Sequence, residues 1–301
     1  MKKEIGFIGL GKMGMAMVQR LLRKRWRVVV YDINGRVLRV AVRKGAVAAS
    51  SPKELAQKLS MPRTVFLMVP AGRPVDKALF GKQGLIGALK RGDVVIDGGN
   101  SFFKDSVRRA ARLKKKGIHY LDTGISGGPV SVKQGKFAIM AGGEKRVYEK
   151  TKPLFRALSD TASGYMGKSG AGHFAKMVHN GIEYGMMQAL AEGFFVLKKS
   201  PFRFRLEEVA NIYSQNSIIT SRLVSWLKEG FEEYGEDLKK ASGSVAHTGE
   251  GEWTVKTAKE LRVSVPIIKG AFDFRVRSAK NPSFTGKILS TLRAVFGGHK
   301  I

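Results

Sequence analysis

The sequence predicts a doubly wound α/β domain followed by an all-α domain. Short apolar runs ending in glycine or a polar residue alternate with helical segments over residues 1–165. A glycine-spaced turn joins the first such run to the first helix. Beyond that point strand-like runs cease and helix-period segments continue through residues 166–301.

Each element follows from local chemistry. "EIGFIG" (Glu4 to Gly9) reads as a buried parallel strand, and a helix follows from about Lys12 to Lys24. "RVVVYD" (Arg27 to Asp32) is a second strand. "SPKELAQKL" (Ser51 to Leu59) is a helix with Ser51 as N-cap and Pro52 in the first turn. "TVFLMVP" (Thr64 to Pro70), "DVVIDGGNS" (Asp93 to Ser101) and "IHYLDTGISGG" (Ile118 to Gly128) each hold a strand that runs into a polar loop. "KFAIMAGG" (Lys136 to Gly143) adds one more strand. A helix of about 30 residues, capped by Ser169 and ending near Lys199, exceeds ordinary surface length and suits a spine between domains. Shorter helices are expected over Leu206–Ser214, Ile218–Lys228, Trp253–Leu261 and Ile267–Arg277, with Ser242–Trp253 as a glycine-rich loop.

Composition narrows the function classes. The chain has no cysteine, which excludes disulfides and thiolate chemistry and fits the cytoplasm. Five scattered histidines offer no paired ligand spacing, so no metal site is expected. No apolar run is long enough to span a membrane. The opening "MKKEIGFIGLGKMGMAMVQRLL" is interrupted by Glu4, glycines and Lys12, and reads as mature structure rather than a signal peptide. Fifty-four Lys and Arg against 24 Asp and Glu leave a net charge of +30, which favours anionic partners. The basic residues are spread along the chain, including "RKRWR" and "KKK". Without a zinc finger, RNP-type strand or basic zipper, nucleic acid is a remote reading.

The turn "GLGKMG" sets Gly9, Gly11 and Gly14 between a strand and a helix. The first glycine permits the turn, the second lets backbone approach a pyrophosphate, and the third lets the helix pack close. Asp32 ends the next strand, where its carboxylate suits a ribose 2′-hydroxyl and repels a 2′-phosphate. A Rossmann-type domain binding NAD in preference to NADP is therefore expected, although Arg36 lies near enough to soften the repulsion. Asn100 and Ser126, Gly127 and Gly128 follow later strands, where open α/β sheets bind ligands.

"KMVHNGIEYG" (Lys176 to Gly185) carries the most specific signal. At about 100° per residue, Lys176, His179, Asn180, Glu183 and Tyr184 share an arc of roughly 140°. A base, an acid and three hydrogen-bonding groups thus line one helix face.

Together these motifs resemble the 6-phosphogluconate dehydrogenases within the wider β-hydroxyacid dehydrogenase group. "GFIGLGKMG", "DGGNS", "SGGPV", "KMVHNGIEYG", "GEGEWT" and "RAVFGGH" occur in that family's order across essentially the whole chain. 3-Hydroxyisobutyrate dehydrogenases share the lysine without "HNGIEYG". The chain resembles the short form, which is commonly NAD-linked. The resemblance implies oxidative decarboxylation of 6-phospho-D-gluconate to D-ribulose 5-phosphate and CO2, without a metal. Lys176 would be the general base, and Glu183 the acid that protonates C1. Asn100, Ser126, Gly127, Gly128, His179 and Asn180 would orient the sugar acid. Tyr184, Thr254 and Arg275 would take the phosphate, joined by Arg293 and His299 from a neighbouring subunit's tail. That makes a homo-oligomer the expectation. The cofactor set is completed by Leu10 and Met13 in the first turn and by Val69, Pro70 and Asn100 at later strand ends. One position departs from the pattern. Glu252 stands where phosphate-binding members carry a basic residue, so it points away, weakens phosphate binding, or marks a different acid substrate. Another β-hydroxyacid dehydrogenase acting on a small hydroxy acid is the alternative.

Overall fold

The computed structural model describes residues 2–247 and 249–299. The chain divides into two compact units, Met1–Met177 and Val178–Ile301.

The first unit is built on an eight-stranded sheet of order β3-β2-β1-β4-β5-β6-β7-β8. The strands are β1 (Glu4–Ile8), β2 (Arg27–Tyr31), β3 (Val47–Ala48), β4 (Thr64–Leu67), β5 (Val94–Asp97), β6 (His119–Ser126), β7 (Ala138–Gly142) and β8 (Ala162–Gly167). β1 to β6 are parallel; β7 runs antiparallel to β6 and β8 parallel to β7. The helices α1 (Lys12–Arg23), α2 (Gly35–Arg43), α3 (Pro52–Gln57), α4 (Arg73–Phe80), α5 (Phe103–Lys114), α6 (Pro129–Gln134) and α7 (Lys145–Leu158) connect them. The apolar runs follow from burial on both faces. Ile5 and Phe7 enter one core cluster, and Ile8 with Val65 and Leu67 enters the other. β3 and β8 have no such run. β3 spans two residues, and "ASGYMG" of β8 is largely part-exposed, so sequence periodicity does not reveal either. Ser51 caps α3 as expected, its Oγ accepting the Glu54 N–H at 3.1 Å with Pro52 in the first turn.

The long helix α8 (Ala171–Lys199) is present, but Ser169 is not its cap. Asp122 of β6 does that work, accepting the Gly170 N–H at 2.7 Å and the His173 N–H at 2.9 Å. A carboxylate from a neighbouring strand satisfies two orphan donors and opposes the positive helix end, an arrangement worth about 0.5–2 kcal/mol. The unit division falls inside α8, between Met177 and Val178.

The second unit continues as α9 (Leu206–Tyr213), α10 (Arg222–Tyr234), α11 (Glu250–Glu260), α12 (Pro266–Ser278) and α13 (Phe284–Gly297). Its core gathers Met187, Phe194, Leu227, Phe231, Ile288 and Leu292. Two boundaries differ from expectation, and one helix was not expected. α10 starts after Ser221, whose Oγ accepts the Val224 N–H at 3.3 Å, and exposed Ile218 stays outside it. α11 begins at Glu250, so the glycine-rich loop is shorter than expected. Ser283 caps α13 through the Gly286 N–H at 3.1 Å, which makes most of the presumed tail a packed helix.

Candidate active site

The turn after β1 is shaped for an anion. Gly9 has φ of +96°, and a Cβ there would lie 2.7 Å from the Met68 carbonyl carbon. At Gly11 a Cβ would meet nothing within 4 Å, so this backbone faces open space. α1 starts at Lys12 with no capping side chain and no acid in its first turn, which leaves the helix end positive. Gly14 is buried, and a Cβ there would collide with Gly9. Met13 is half-buried in the first turn, whereas Leu10 is fully buried and contributes its backbone. The strand order reverses between β1 and β4, the switch point where doubly wound sheets bind dinucleotides.

Asp32 follows β2 and reaches this turn. Its Oδ2 accepts the Leu10 N–H at 2.6 Å, and its Oδ1 accepts the Asn34 N–H at 2.7 Å. Each oxygen keeps a lone pair, so an aimed carboxylate suits ribose hydroxyls and opposes a 2′-phosphate. These residues fit NAD. Val69, Pro70 and Asn100 lie at the ends of β4 and β5, with Pro70 and Asn100 exposed. Ser126 ends β6, and Gly128 is the N-cap of α6.

Lys176 is buried one turn after the cap of α8. It packs on Gly124 of β6, where a Cβ would lie 3.1 Å from the Lys176 Cγ and 2.9 Å from the Gly172 carbonyl oxygen. Gly172 answers from the helix, since a Cβ there would lie 2.6 Å from the Met140 carbonyl oxygen. Backbone-close packing thus fixes where the lysine stem leaves α8 over the sheet.

In the second unit the structure gathers Glu183, Tyr184, Arg275 and Arg293. The Arg275 guanidinium carbon lies 3.5 Å from the Tyr184 ring centroid, and its Nη2 contacts Met187 Sδ at 3.5 Å. Arg275 is 3% exposed. Burial pulls its pKa down, Tyr184 counteracts this, and neighbouring Arg293 lowers it further. Burial also lowers Arg293, against the influence of Tyr184, Glu250 and Glu183. Arginine remains charged through such shifts. Among the described residues neither guanidinium forms an ion pair. A buried and a half-buried guanidinium with no ion-pair partner among the described residues can hold an anion.

The remaining candidates are placed as follows. His179 Nδ1 lies 3.1 Å from Asn180 Oδ1 and 3.7 Å from Glu183 Oε2. Thr254 is buried on α11, its Oγ1 donating to the Glu250 carbonyl at 2.8 Å. Arg293 belongs to α13, where Tyr184, Glu250 and Glu183 of its own chain influence its charge. His299 is exposed, just past the left-handed Gly298 that terminates α13. Glu252 pairs with Lys256 at 2.5 Å along its own helix, and that lysine holds its carboxyl below the usual range.

Sequence reading missed three contributors. They are the capping Asp122, buried Glu250 beside Arg293, and a network of Asp97, Ser101, Arg109 and Tyr120 beneath the β5 loop. The available signal was an aspartate inside each of two apolar strands, where the residue is disfavoured unless it has work to do.

A dinucleotide turn at a switch point, followed by a helical unit holding an anion site, defines the class: a pyridine-nucleotide-dependent dehydrogenase. Comparison with known proteins narrows it. Residues 4–167 match the NAD binding domain of 6-phosphogluconate dehydrogenase, and residues 172–287 match the 6-phosphogluconate dehydrogenase C-terminal domain. An NAD(+)-dependent, decarboxylating 6-phosphogluconate dehydrogenase of Haloferax volcanii is 39% identical over 300 residues, covering 99% of this chain and 98% of that one. An NADP(+)-dependent, decarboxylating counterpart from Bacillus subtilis is 35% identical, covering 92% of this chain and 62% of its own. The Plasmodium falciparum 6-phosphogluconate dehydrogenase structure superposes with a TM-score of 0.81 at 29% identity, covering 92% of this chain and 62% of that chain. The chain belongs to the 6-phosphogluconate dehydrogenase family. Among the described residues no group of three or more His, Cys, Asp or Glu could hold a metal ion.

Proposed function

We propose that this protein oxidises and decarboxylates 6-phospho-D-gluconate to D-ribulose 5-phosphate and CO2, reducing NAD. The observation that carries the substrate is the guanidinium couple beside Tyr184, Arg275 and Arg293, neither of which forms an ion pair among the described residues. A small unphosphorylated hydroxy acid has one carboxylate, which is needed at the reacting end, and brings no second anion to this couple. Glu252 is no obstacle, since Lys256 already neutralises it.

Bound NAD supplies the hydride acceptor. Lys176 Nζ takes the proton of the C3 hydroxyl as the C3 hydrogen leaves. The 3-keto acid then loses its C1 carboxylate as CO2, while the Lys176 ammonium donates to the carbonyl oxygen on which charge builds. The Glu183 carboxyl delivers a proton to C1 of the enediol. Asn100, Ser126, Gly127, Gly128, His179 and Asn180 orient the carboxylate and hydroxyls; Tyr184, Thr254, Arg275 and Arg293 hold the phosphate. Leu10, Gly11, Met13 and Asp32 hold the dinucleotide with Val69 and Pro70.

We also place the protein in the cytoplasm as a homo-oligomer. No described helix is long and apolar enough to cross a membrane. Arg293 and His299 are the tail residues proposed to complete a neighbour's site, and His299 is the one that lies beyond α13. Deleting the residues after Gly297 keeps α13 whole and should raise the KM for the sugar acid but not for NAD. An unchanged sugar-acid KM refutes the shared site.

The deciding experiment supplies purified protein with 6-phosphogluconate and either NAD or NADP, following nicotinamide reduction and CO2 release together. NAD reduction matched by CO2 is expected. Reduction with NADP alone overturns the cofactor assignment. Turnover of small hydroxy acids but not of 6-phosphogluconate overturns the substrate.

A further inference from the structure

Arg109 of α5 is fully buried in the first unit, yet its guanidinium reaches two different loops. Its Nη2 donates to the Gly72 carbonyl at 3.0 Å, and its Nε donates to Asp76 Oδ1 at 2.9 Å, both at the start of α4. Its Nη1 donates to Ser101 Oγ at 3.4 Å and lies 3.7 Å from Asp97 Oδ2, both in the segment that ends β5. Asp97 is itself organised, its Oδ2 accepting from Ser101 Oγ and Tyr120 OH at 2.8 Å each, and its Oδ1 from the Gly99 N–H at 3.2 Å. The two loops touch through backbone, since a Cβ on Gly99 would lie 2.7 Å from the Val69 carbonyl oxygen. One rigid fork therefore ties the loop carrying Val69 and Pro70 to the loop carrying Asn100.

We infer that Arg109 is a positioning residue for the reaction: it sets the register of these two strand-end loops, and through them the placement of Asn100 against the dinucleotide and the sugar acid. This rests on the function proposed above. A residue serving stability alone needs no contact with both loops. The core beside it is already filled by Tyr120 and Leu113, and the exposed neighbour Arg108 pairs with the same Asp76 without reaching the β5 loop. A lysine retains the charge but cannot address Gly72, Asp76 and Ser101 at once.

The test compares wild type, Arg109→Lys and the control Arg108→Ala by steady-state kinetics, NAD titration, thermal midpoint and amide hydrogen exchange. The expected result for Arg109→Lys is a kcat at least tenfold lower, with NAD affinity and thermal midpoint near wild type. Exchange should quicken jointly at residues 69–72 and 98–101, and Arg108→Ala should match wild type. A kcat within twofold of wild type overturns the inference. So does a loss accounted for by the unfolded fraction, with exchange raised throughout the unit. If Arg109→Lys does not fold, Asp76→Asn is read instead, and the same joint loosening with lower kcat is required. If wild type fails to turn over 6-phosphogluconate, the functional proposal falls, and the paired loop exchange alone decides the role of Arg109.

Discussion

Lys176 and Arg275 are buried basic side chains with different surroundings, and each makes its own prediction. Lys176 leaves α8 over Gly124, whose missing Cβ leaves room for its stem. A group so placed can exchange a proton with a substrate hydroxyl only along a narrow direction, which suits a base. Lys176→Met should lower the rate of NAD reduction by on the order of a hundredfold to ten-thousandfold, the range of a general base. NAD affinity should stay near wild type in a direct titration. Turnover within tenfold of wild type would remove Lys176 from the chemistry. Arg275 lies over the Tyr184 ring with Arg293 close by, a geometry for a multidentate anion rather than for proton transfer. Charge-assisted hydrogen bonds contribute about 1.5–3 kcal/mol, so Arg275→Lys should raise the KM for 6-phosphogluconate by roughly tenfold to a hundredfold. The same change should barely alter any weak turnover of gluconate, which lacks the phosphate. An equal effect on both substrates would assign Arg275 to structure.

At the scale of elements, the decisive junction is where the start of α8 meets β6 and β7. Asp122 caps the helix, and Gly172 lets it approach the Met140 carbonyl. Gly172→Ala must push the helix outward, at a cost of about 1–3 kcal/mol for overpacking, and must carry Lys176 with it. A lower thermal midpoint together with a lower kcat is expected; a variant that loses stability while keeping full kcat would show that the junction does not aim the lysine. The contacts of α4 with α5 make a pH prediction. Burial works against the Asp76 carboxylate, but hydrogen bonds from Arg109 and Arg108 outweigh it and hold the folded pKa below 3.8. A depressed pKa contributes stability that is present above the unfolded value and is lost as pH falls through the folded one. Asp76→Asn should therefore lose less stability than wild type between roughly pH 5 and pH 3, read from denaturant midpoints. An identical acid limb would show that Asp76 is not a stabilising carboxylate. These junctions also mark what the sequence makes legible. β1 and β2 announce themselves because both faces are buried, and the glycine turn because its spacing has one steric meaning. The residues of α8 were legible because a 3.6-residue period collects them on one face. Asp122 was not, because its partners Gly170 and His173 lie about fifty positions away. Arg109 was not legible either, because its partners Gly72 and Asp76 lie more than thirty positions away. α13 was hidden for a related reason, since its start rests on a single serine cap and its core contacts on α10 are distant in sequence.

At the scale of the whole molecule, the net charge of +30 acts as a field rather than as a motif. Most acidic groups with close partners are already neutralised locally, as Glu54 is by Lys58, Glu232 by Lys228 and Asp273 by Lys269. The surplus of lysine and arginine therefore shapes the approach of anions from solution. 6-Phosphogluconate carries a phosphate and a carboxylate, so it should be drawn in more strongly than a singly charged acid. The Debye length falls to about 10 Å at 0.1 M salt, which screens that attraction before it screens the close contacts of a buried guanidinium. Raising ionic strength from roughly 0.02 M to 0.3 M should therefore lower kcat/KM for 6-phosphogluconate several-fold while leaving kcat near constant. Gluconate should respond more weakly. A nucleic-acid-binding role would appear in the same titration as tight association with duplex DNA at low salt, lost with a log–log slope of several units, and that DNA would compete with substrate. A salt response equal for the phosphorylated and unphosphorylated acids would show that the field does not steer the substrate, and would leave the guanidinium pair as the sole source of selectivity for phosphate.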